Sequence, residues 1–422
     1  MQFSENSTRF MKHIIGEFSK SIDKSVNKKN KHVQKETDGY LSNFYDEMVE
    51  CYKKSQRIKK DKRFFSSKLT KIKIPEQIPK SHLFESEFVS HSIKKYIEQH
   101  AIYDLCYIFT VDKKLYKVHF VLLDENETLK LDKYELYIEK IIMWIALTKK
   151  YNTVPCNKDS ISIYFYLTPF KKKFPECSIT VIGPEQVNSG VAYVCADNGE
   201  IMVYREEEWF KVFIHETFHS FGLDFSKMDQ RGFNKKILAL FPVNTEVNLF
   251  EAYTECWARI FNSLFISFYT LKDIKNKEEF MLSSEFCLQF EGEFSVFQMN
   301  KVLHCMGLNY HQLYSSSRES EIARSMLYKE KSNVFAYYII TSILLSNYPL
   351  FMSWSYCNNL NFIEFTNTLS NLNNFYELIK KTYLSKKYLS YVDNYEYFLH
   401  SLISDINASG GKKIKPEEIE EK

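Results

Sequence analysis

The sequence contains few of the residues that interrupt helices and strands, since glycine and proline number only 11 and 9 among 422 residues. Hydrophobic residues make up 45% of the chain and aromatic residues 16%. This composition excludes a largely disordered protein. A chain of this length predicts two or three structural units around at least one sizeable core.

Segments typical of export or membrane insertion are also missing. The first residues mix charges from Glu5 onward and contain no apolar stretch, so we expect no signal peptide in this segment. The longest apolar run, Val334 to Leu345, is too short to span a bilayer. We interpret this run as a buried core helix and expect no membrane span.

Cysteine pairs of the Cys-x-x-Cys type are absent. The nine cysteines are odd in number and spread over the whole chain. This pattern argues against a disulfide framework and against a zinc site made of thiolates. We therefore expect a reducing, intracellular setting such as the cytoplasm.

Positive charge is concentrated at the N-terminal end. Met1 to Pro75 contains 18 Lys and Arg against 9 Asp and Glu, so the remaining residues carry a net negative charge. The simplest interpretation is a solvated helical face. An acidic partner, nucleic acid or an acidic membrane surface is the alternative, although no fingerprint of a nucleic-acid-binding fold accompanies the charge.

The order of sequence patterns predicts an α+β fold, with a small mixed β-sheet, a backing helix and a mostly helical C-terminal subdomain. Strand patterns cover Ile102 to Thr110, Leu115 to Leu123 and Ile161 to Leu167, and an amphipathic helix covers Leu131 to Lys150. The Asn198-Gly199 pair is the strongest hairpin signal in the chain.

We divide the chain into four parts. Residues 1–75 are predicted to form a basic helical appendage that ends in a linker over Lys53 to Lys73. Residues 76–222 form the α+β subdomain, residues 223–406 the helical subdomain and residues 407–422 a disordered tail. A helix is expected from about Glu206, with Glu206, Glu207 and Glu208 in its first turn and Gly222 at its C-cap.

Within that helix stands the segment His215-Glu216-Thr217-Phe218-His219. Residues four apart share one face of a helix, so both imidazoles can reach one metal ion. A carboxylate beside them can take a proton from an attacking water and pass it to the leaving amine. A satisfied pair of core histidines is the structural alternative.

Two carboxylates, Glu251 and Glu255, lie on the next aromatic and apolar helix. Such groups are costly to bury unless a positive charge compensates them, and a zinc ion would do so. The motif needs a third ligand, and this helix offers one.

With these residues the sequence resembles the gluzincin branch of the zincin metallopeptidases. The resemblance implies His215, His219 and Glu251 as ligands of Zn²⁺, Glu216 as general base and acid, and Glu255 as a partner that orients a histidine. Glu255 is the alternative third ligand. The resemblance covers about Ile102 to Phe265, and it implies that the strand over Asn188 to Tyr193 pairs with extended substrate.

Some positions depart from related patterns. A metzincin would have His or Asp six residues after His219, where Phe225 stands, and Asp224 is one place short. We therefore expect Asp224 to cap the helix exit or hold the loop, and we keep it as a further alternative third ligand. The transition-state donor of gluzincins, a Tyr or His, has four candidates here, His304, Tyr310, Tyr337 and Tyr338. More loosely, three segments make the chain similar to uncharacterised putative metallopeptidases of large DNA viruses: Leu167-Thr168-Pro169-Phe170-Lys171-Lys172-Lys173, Asn188-Ser189-Gly190 and Glu251-Ala252-Tyr253-Thr254-Glu255. This resemblance would place the protein in an infected cell or a virion.

These features predict a zinc-dependent peptidase that hydrolyses a protein or peptide substrate, with Glu216 moving the proton. The alternative is a catalytically silent protein of zincin fold, such as an assembly component of a virus particle. A third interpretation, nucleic-acid binding, rests on charge alone. The intact Glu216 favours the enzyme, because a purely structural site does not need that carboxylate.

Overall fold

The computed structural model describes residues 8–16, 28–156, 160–175 and 181–408, and it has the predicted α+β fold. The helices in the N-terminal half are α1 (8–16), α2 (Lys28–Lys60), α3 (His91–His100), α4 (Leu131–Thr148), α5 (Pro184–Val187) and α6 (Trp209–Phe221). The later helices are α7 (Arg231–Leu240), α8 (Leu249–Tyr269), α9 (Lys277–Cys305), α10 (Tyr310–Tyr314), α11 (Arg318–Leu327), α12 (Thr341–Leu345), α13 (Tyr348–Asn358), α14 (Leu369–Thr382) and α15 (Lys386–Ala408). The predicted tail falls almost wholly outside the described residues.

Six strands form one mixed sheet in the order β1-β2-β3-β4-β6-β5. They are β1 (Phe65–Lys71), β2 (Tyr103–Val111), β3 (Lys114–Leu122), β4 (Ser160–Thr168), β5 (Gly190–Ala192) and β6 (Gly199–Arg205). The β3–β4 and β4–β6 pairs are parallel, and the other pairs are antiparallel. The hairpin predicted at Asn198-Gly199 is confirmed, because β5 pairs with β6. Strands β2 and β3, in the segments with predicted strand patterns, form another hairpin.

Side chains on the two faces of the sheet enter different apolar clusters, as the period of two along a strand requires. One face joins the main core, into which α4 and α6 bring Trp144 and Phe213. The other face packs against α3 and the segment before it, with Phe84 and Ile97 fully buried. Helix α3 begins at His91, after Ser90 at its N-cap.

The N-terminal region does not form an appendage followed by a linker. Helix α2 contacts α4, α9 and α13, and it buries Phe44, Met48 and Cys51 in the main core. Residues expected to form the linker are the end of α2 and strand β1, which extends the sheet by pairing with β2. Helix α2 was predicted as a helix but not as part of the core. Strand β1 was not predicted, because this exposed edge strand has no alternation of apolar and polar residues.

The apolar run from Val334 is buried, as expected, and it forms a π-helical turn over Phe335–Ile340 that continues into α12. Among the described helices none is alone long and apolar enough to cross a membrane. The helical segments Phe335–Leu345 and Tyr348–Asn358 are bent by 95° relative to each other. Together they are long and apolar enough for a membrane span, by length and composition only.

The contribution of α2 to the core can be tested with Phe44→Ala. The Phe44 ring stacks on Phe362 and meets Phe261 edge to face, both at 5.1 Å between ring centroids. We expect the free energy of unfolding to fall by about 3–5 kcal/mol, as for other buried Phe→Ala changes, in urea denaturation. Phe64→Ala, at a ring that is 47% exposed, should cost less than about 1 kcal/mol. Equal losses would contradict this packing.

Candidate metal centre

The helix that carries the predicted motif, α6, is buried along its whole length between the sheet and α8. It ends where expected, because Gly222 adopts a left-handed conformation with φ +68°. The backbone N–H groups of Gly222 and Leu223 donate to the carbonyl oxygens of His219 and Phe218. This arrangement closes the last turn of the helix.

The beginning of α6 differs from the prediction. The helix starts at Trp209, so the three glutamates precede it instead of forming its first turn. Glu208 has a left-handed backbone with φ 53°, and its carboxylate pairs with Lys172 at 3.1 Å and Lys211 at 3.3 Å. These ion pairs hold Glu208 in place of the expected helix-dipole interaction.

Three side chains from α6 and α8 converge on one point. His215 Nε2 lies 3.1 Å from His219 Nε2 and 3.2 Å from Glu251 Oε2. His219 Nε2 lies 3.4 Å from the same Glu251 oxygen. All three residues are buried, and together they form a group that could hold a metal ion.

The separations fit a tetrahedral ion. Zinc binds imidazole nitrogen and carboxylate oxygen at about 2.0–2.2 Å, which puts neighbouring tetrahedral ligands about 3.3 Å apart. The three measured separations of 3.1–3.4 Å therefore agree with three corners of such a tetrahedron. The fourth corner would be left for water or substrate.

Each imidazole is oriented by a second carboxylate on its other nitrogen. His215 Nδ1 lies 3.0 Å from Glu255 Oε2, in the positioning role expected of Glu255. His219 Nδ1 makes a short contact with Asp224 Oδ2. Asp224 Oδ1 also accepts hydrogen bonds from the backbone N–H and hydroxyl of Ser226, so Asp224 anchors the loop as well as the histidine.

The geometry distinguishes the predicted third ligand, Glu251, from the two alternatives, Glu255 and Asp224. Glu255 and Asp224 face the Nδ1 atoms of the two histidines, whereas Glu251 faces both Nε2 atoms. Such outer partners fix the tautomer and the orientation of a ligand imidazole. The role of Asp224 toward His219 was not foreseen, because a five-residue separation across a helix end gives no regular geometric signal.

The buried carboxylates of the site differ in the positive groups that neutralise them. Glu255 Oε1 accepts hydrogen bonds from Lys211 Nζ at 2.9 Å and from Arg259 Nε at 2.8 Å. Within the described part of the chain, the ion pairs of Glu251 and Asp224 are with imidazoles only. The point between the imidazoles and Glu251 is therefore where an added cation would be best stabilised.

The pKa shifts have the same origin. Burial opposes the charged form of His219, but Glu251 and Asp224 outweigh it and raise the pKa of the imidazole well above its ordinary value. Burial also opposes ionisation of Glu251, yet the imidazoles of His219 and His215 lower the pKa of its carboxyl group. The charged form of each group is thus favoured by its neighbours.

Glu216 differs from the other carboxylates of the site. Burial is the main cause that raises its pKa, and among the described residues none donates a hydrogen bond to its carboxylate. Strand β5 approaches it closely at Gly190, where a Cβ atom would lie 3.0 Å from Glu216 Oε1 and 2.7 Å from Val212 Cγ1. Only glycine allows this edge strand to lie so near the carboxylate.

Glu216 and Gly190 line a cleft together with Lys211, Tyr337 and Tyr338. Tyr337 comes from the π-helical turn, its hydroxyl donates to Glu251 Oε2 at 3.0 Å, and its ring lies 5.7 Å from that of His215. A π-helical turn is frequently found at a functional site.

The four candidates for the transition-state donor differ in whether they line the cleft. Tyr337 and Tyr338 reach the cleft, whereas Tyr310 donates to the carbonyl oxygen of Tyr383 and His304 lies beside His400. Asn333, which the sequence did not single out, donates to Glu251 Oε1 at 3.0 Å.

A second group of possible ligands lies on the opposite face of the sheet. Asp104, Cys106 and His119 come together from β2 and β3. Both oxygens of Asp104 are within 3.0 Å of His119 Nδ1, and the His119 ring stacks on Tyr164. This carboxylate and this imidazole therefore satisfy each other without a cation.

Comparison with known proteins adds a viral relative. The chain is 27% identical over 207 residues to an uncharacterized protein of Acanthamoeba polyphaga mimivirus, in an alignment that covers 46% of this chain and 50% of that protein. The chain thus spans about half the length of that relative. No family model and no solved structure matches. The viral relative agrees with the loose resemblance to proteins of DNA viruses and provides no activity.

The anchoring role of Asp224 predicts a specific effect on metal affinity. Asp224→Asn should weaken the binding of Zn²⁺ about 10–100-fold, because it removes the charge that orients His219, in a competition titration with a chelator. The matched control is Asp229→Asn, at an exposed carboxylate that pairs with Arg231, which should bind Zn²⁺ as the wild type does. Unchanged affinity in Asp224→Asn would exclude the role.

Proposed function

We propose that the protein is a zinc-dependent peptidase of the zincin type, with His215, His219 and Glu251 as the metal ligands. The observation that carries this proposal is the combination of a three-ligand group of tetrahedral dimensions with a buried, unpartnered carboxylate, Glu216, next to it. A structural metal site is normally closed by four protein ligands, whereas a catalytic site keeps one position open.

Bound zinc would supply a Lewis acid that polarises a carbonyl group and makes water more acidic. The residues of the chain then have separate tasks. Glu216 accepts the proton of the attacking water and delivers it to the leaving amine nitrogen. Its raised pKa suits this exchange, because a stronger base takes the proton more readily and still releases it to an amine.

Substrate binding is assigned to the edge strand β5. In the described sheet this strand pairs on one side only, with β6. An extended peptide can add to such an edge through main-chain hydrogen bonds. Gly190 would then present the peptide beside Glu216, since the strand approaches the carboxylate closely at this residue.

The role of Glu216 predicts that Glu216→Gln lowers the rate of peptide cleavage at least about 100-fold without loss of zinc or of the fold. Cleavage would be followed by mapping new N-termini in a peptide library and in host-cell extract, which also identifies the substrate. Glu206→Gln, at an exposed carboxylate outside the cleft, is the matched control.

Three results would distinguish the hypotheses. Loss of zinc from His215→Ala with full retention in Glu216→Gln would support the ligand and base assignments. Equal cleavage by wild type and Glu216→Gln would exclude the catalytic assignment. Zinc binding without cleavage of any peptide would instead favour the silent zincin-fold assembly protein.

Tyr337 is proposed as the donor that stabilises the developing oxyanion, because its hydroxyl already lies next to the Glu251 oxygen of the site. Removing such a donor usually costs about 10²–10³-fold in kcat. We therefore expect Tyr337→Phe, assayed at saturating zinc, to lose activity mainly in kcat with little change in KM. Tyr397→Phe, at a side chain that is 77% exposed, should behave as the wild type. A change in KM alone would contradict this role.

A further inference from the structure

A disulfide bond joins two loops beside the metal centre, contrary to the expectation from cysteine spacing. Cys156 lies between α4 and β4, Cys195 lies between β5 and β6, and the two are 39 residues apart in sequence. Elsewhere in the described part of the chain, Cys51 and Cys256 are buried free thiols and Cys357 is an exposed one. Among the described cysteines, the structure joins Cys156 to Cys195.

Both loops contact the last turn of α6, which carries His219. The backbone N–H of Cys195 donates to the carbonyl oxygen of His219 at 3.1 Å. From the other loop, Asn152 Nδ2 donates to the carbonyl oxygen of Phe221 at 2.8 Å. The disulfide thus closes a bridge across the C-terminal end of the active-site helix.

The bridge packs directly on Gly222. A Cβ atom at this position would lie 2.8 Å from Cys156 Sγ and 3.3 Å from Cys195 Sγ. No side chain could therefore stand between the disulfide and the helix end. Two lysines add to the closure, because Lys114 donates to the carbonyl oxygen of Cys156 and Lys227 to that of Cys195.

We propose that Cys156–Cys195 is a reversible thiol–disulfide modification site, reduced by a dithiol, that sets how firmly the end of α6 and its His219 are held. The effect of reduction on the end of α6 does not depend on the proposed function, whereas the expected effect on zinc affinity rests on it. Exposed disulfides are more easily reduced than buried ones. Here Cys156 is buried, while Cys195 is half-buried between the exposed residues Tyr193, Val194, Asp197 and Asn198.

The reaction follows from this accessibility. A thiolate of the dithiol attacks Cys195 Sγ, the sulfur–sulfur bond breaks, and Cys156 leaves as a thiolate that takes up a proton. The second thiol of the reagent then displaces Cys195 from the mixed disulfide. The dithiol is oxidised by two electrons to its own disulfide, and the protein gains two electrons and two protons.

Reduction leaves the hydrogen bonds between the loops and α6 without a covalent tether. Local opening of this region should become more frequent, which hydrogen exchange measures residue by residue. His219 and its partner Asp224 flank the loosened turn. Weaker positioning of a ligand imidazole typically lowers metal affinity by tenfold or more.

The test compares the full chain before and after treatment with dithiothreitol. Alkylation and peptide mapping should find two new thiols, at Cys156 and Cys195. In metal-free protein the amides of Cys195, Gly222 and Leu223 should exchange at least about tenfold faster after reduction. Zinc affinity, measured by chelator competition, should fall about tenfold.

Two variants complete the experiment. Cys156→Ser/Cys195→Ser should match the reduced wild type and should not respond to dithiothreitol, whereas Cys357→Ser, at an exposed free thiol, should respond as the wild type does. Unchanged exchange at the three amides in reduced protein would overturn the inference, as would resistance of the bond to the dithiol. Faster exchange in a protein that binds no zinc would refute the proposed function alone.

Discussion

The structure depends on how positive charge is supplied to carboxylates that are buried between α6 and α8. Glu251, Glu255 and Asp224 are each less than 9% exposed, and each contacts an imidazole of His215 or His219. Burying one unpaired carboxylate would cost several kcal/mol, so this arrangement persists only if the charges compensate one another. The two histidines, which face carboxylates through both ring nitrogens, are the centre of that compensation.

Compensation of buried carboxylates also involves lysine and arginine residues, whose ion pairs connect segments that are distant in sequence. Arg259 bridges Glu255 of its own helix to Glu291 of α9, at 2.8 Å in each pair. Lys211 links α6 to α8, and Lys172 ties the segment after β4 to Glu208. Removing one member would leave its partner buried and unpaired, which usually costs more than the pair itself contributes. The packing of four chain segments is therefore coupled to the geometry of the centre.

The parts of this arrangement that sequence analysis could predict have local causes. An i, i+4 spacing fixes a shared helix face, Asn198-Gly199 fixes a hairpin and Gly222 fixes a helix end. The strands other than β1 and the shared helix face of His215 and His219 followed from such signals. Glu251 as third ligand was implied by the resemblance to gluzincins. The catalytic role of Glu216 and the identity of the metal stay predictions.

What could not be predicted depends on tertiary contacts. Three successive glutamates are typical of a first helical turn. Here they precede the helix, and Glu208 forms ion pairs with Lys172 and Lys211. The polar strand β1 has no alternating apolar pattern, and Tyr337 has no feature in the sequence that separates it from the rest of the 29 tyrosines. The Cys156–Cys195 pairing likewise requires that two loops meet at the end of α6.

The positions of these unpredicted residues explain why the centre could act as a catalyst and also be regulated. Tyr337 and Asn333 hold Glu251 from one side, and the disulfide loops hold the end of the His219 helix from another. Glu216 is held by neither set and faces the cleft beside Gly190. The candidate metal ligands are thus constrained by contacts from outside the centre, and the disulfide is the contact proposed to change on reduction. The carboxylate proposed to move the proton accepts no hydrogen bond from the described residues.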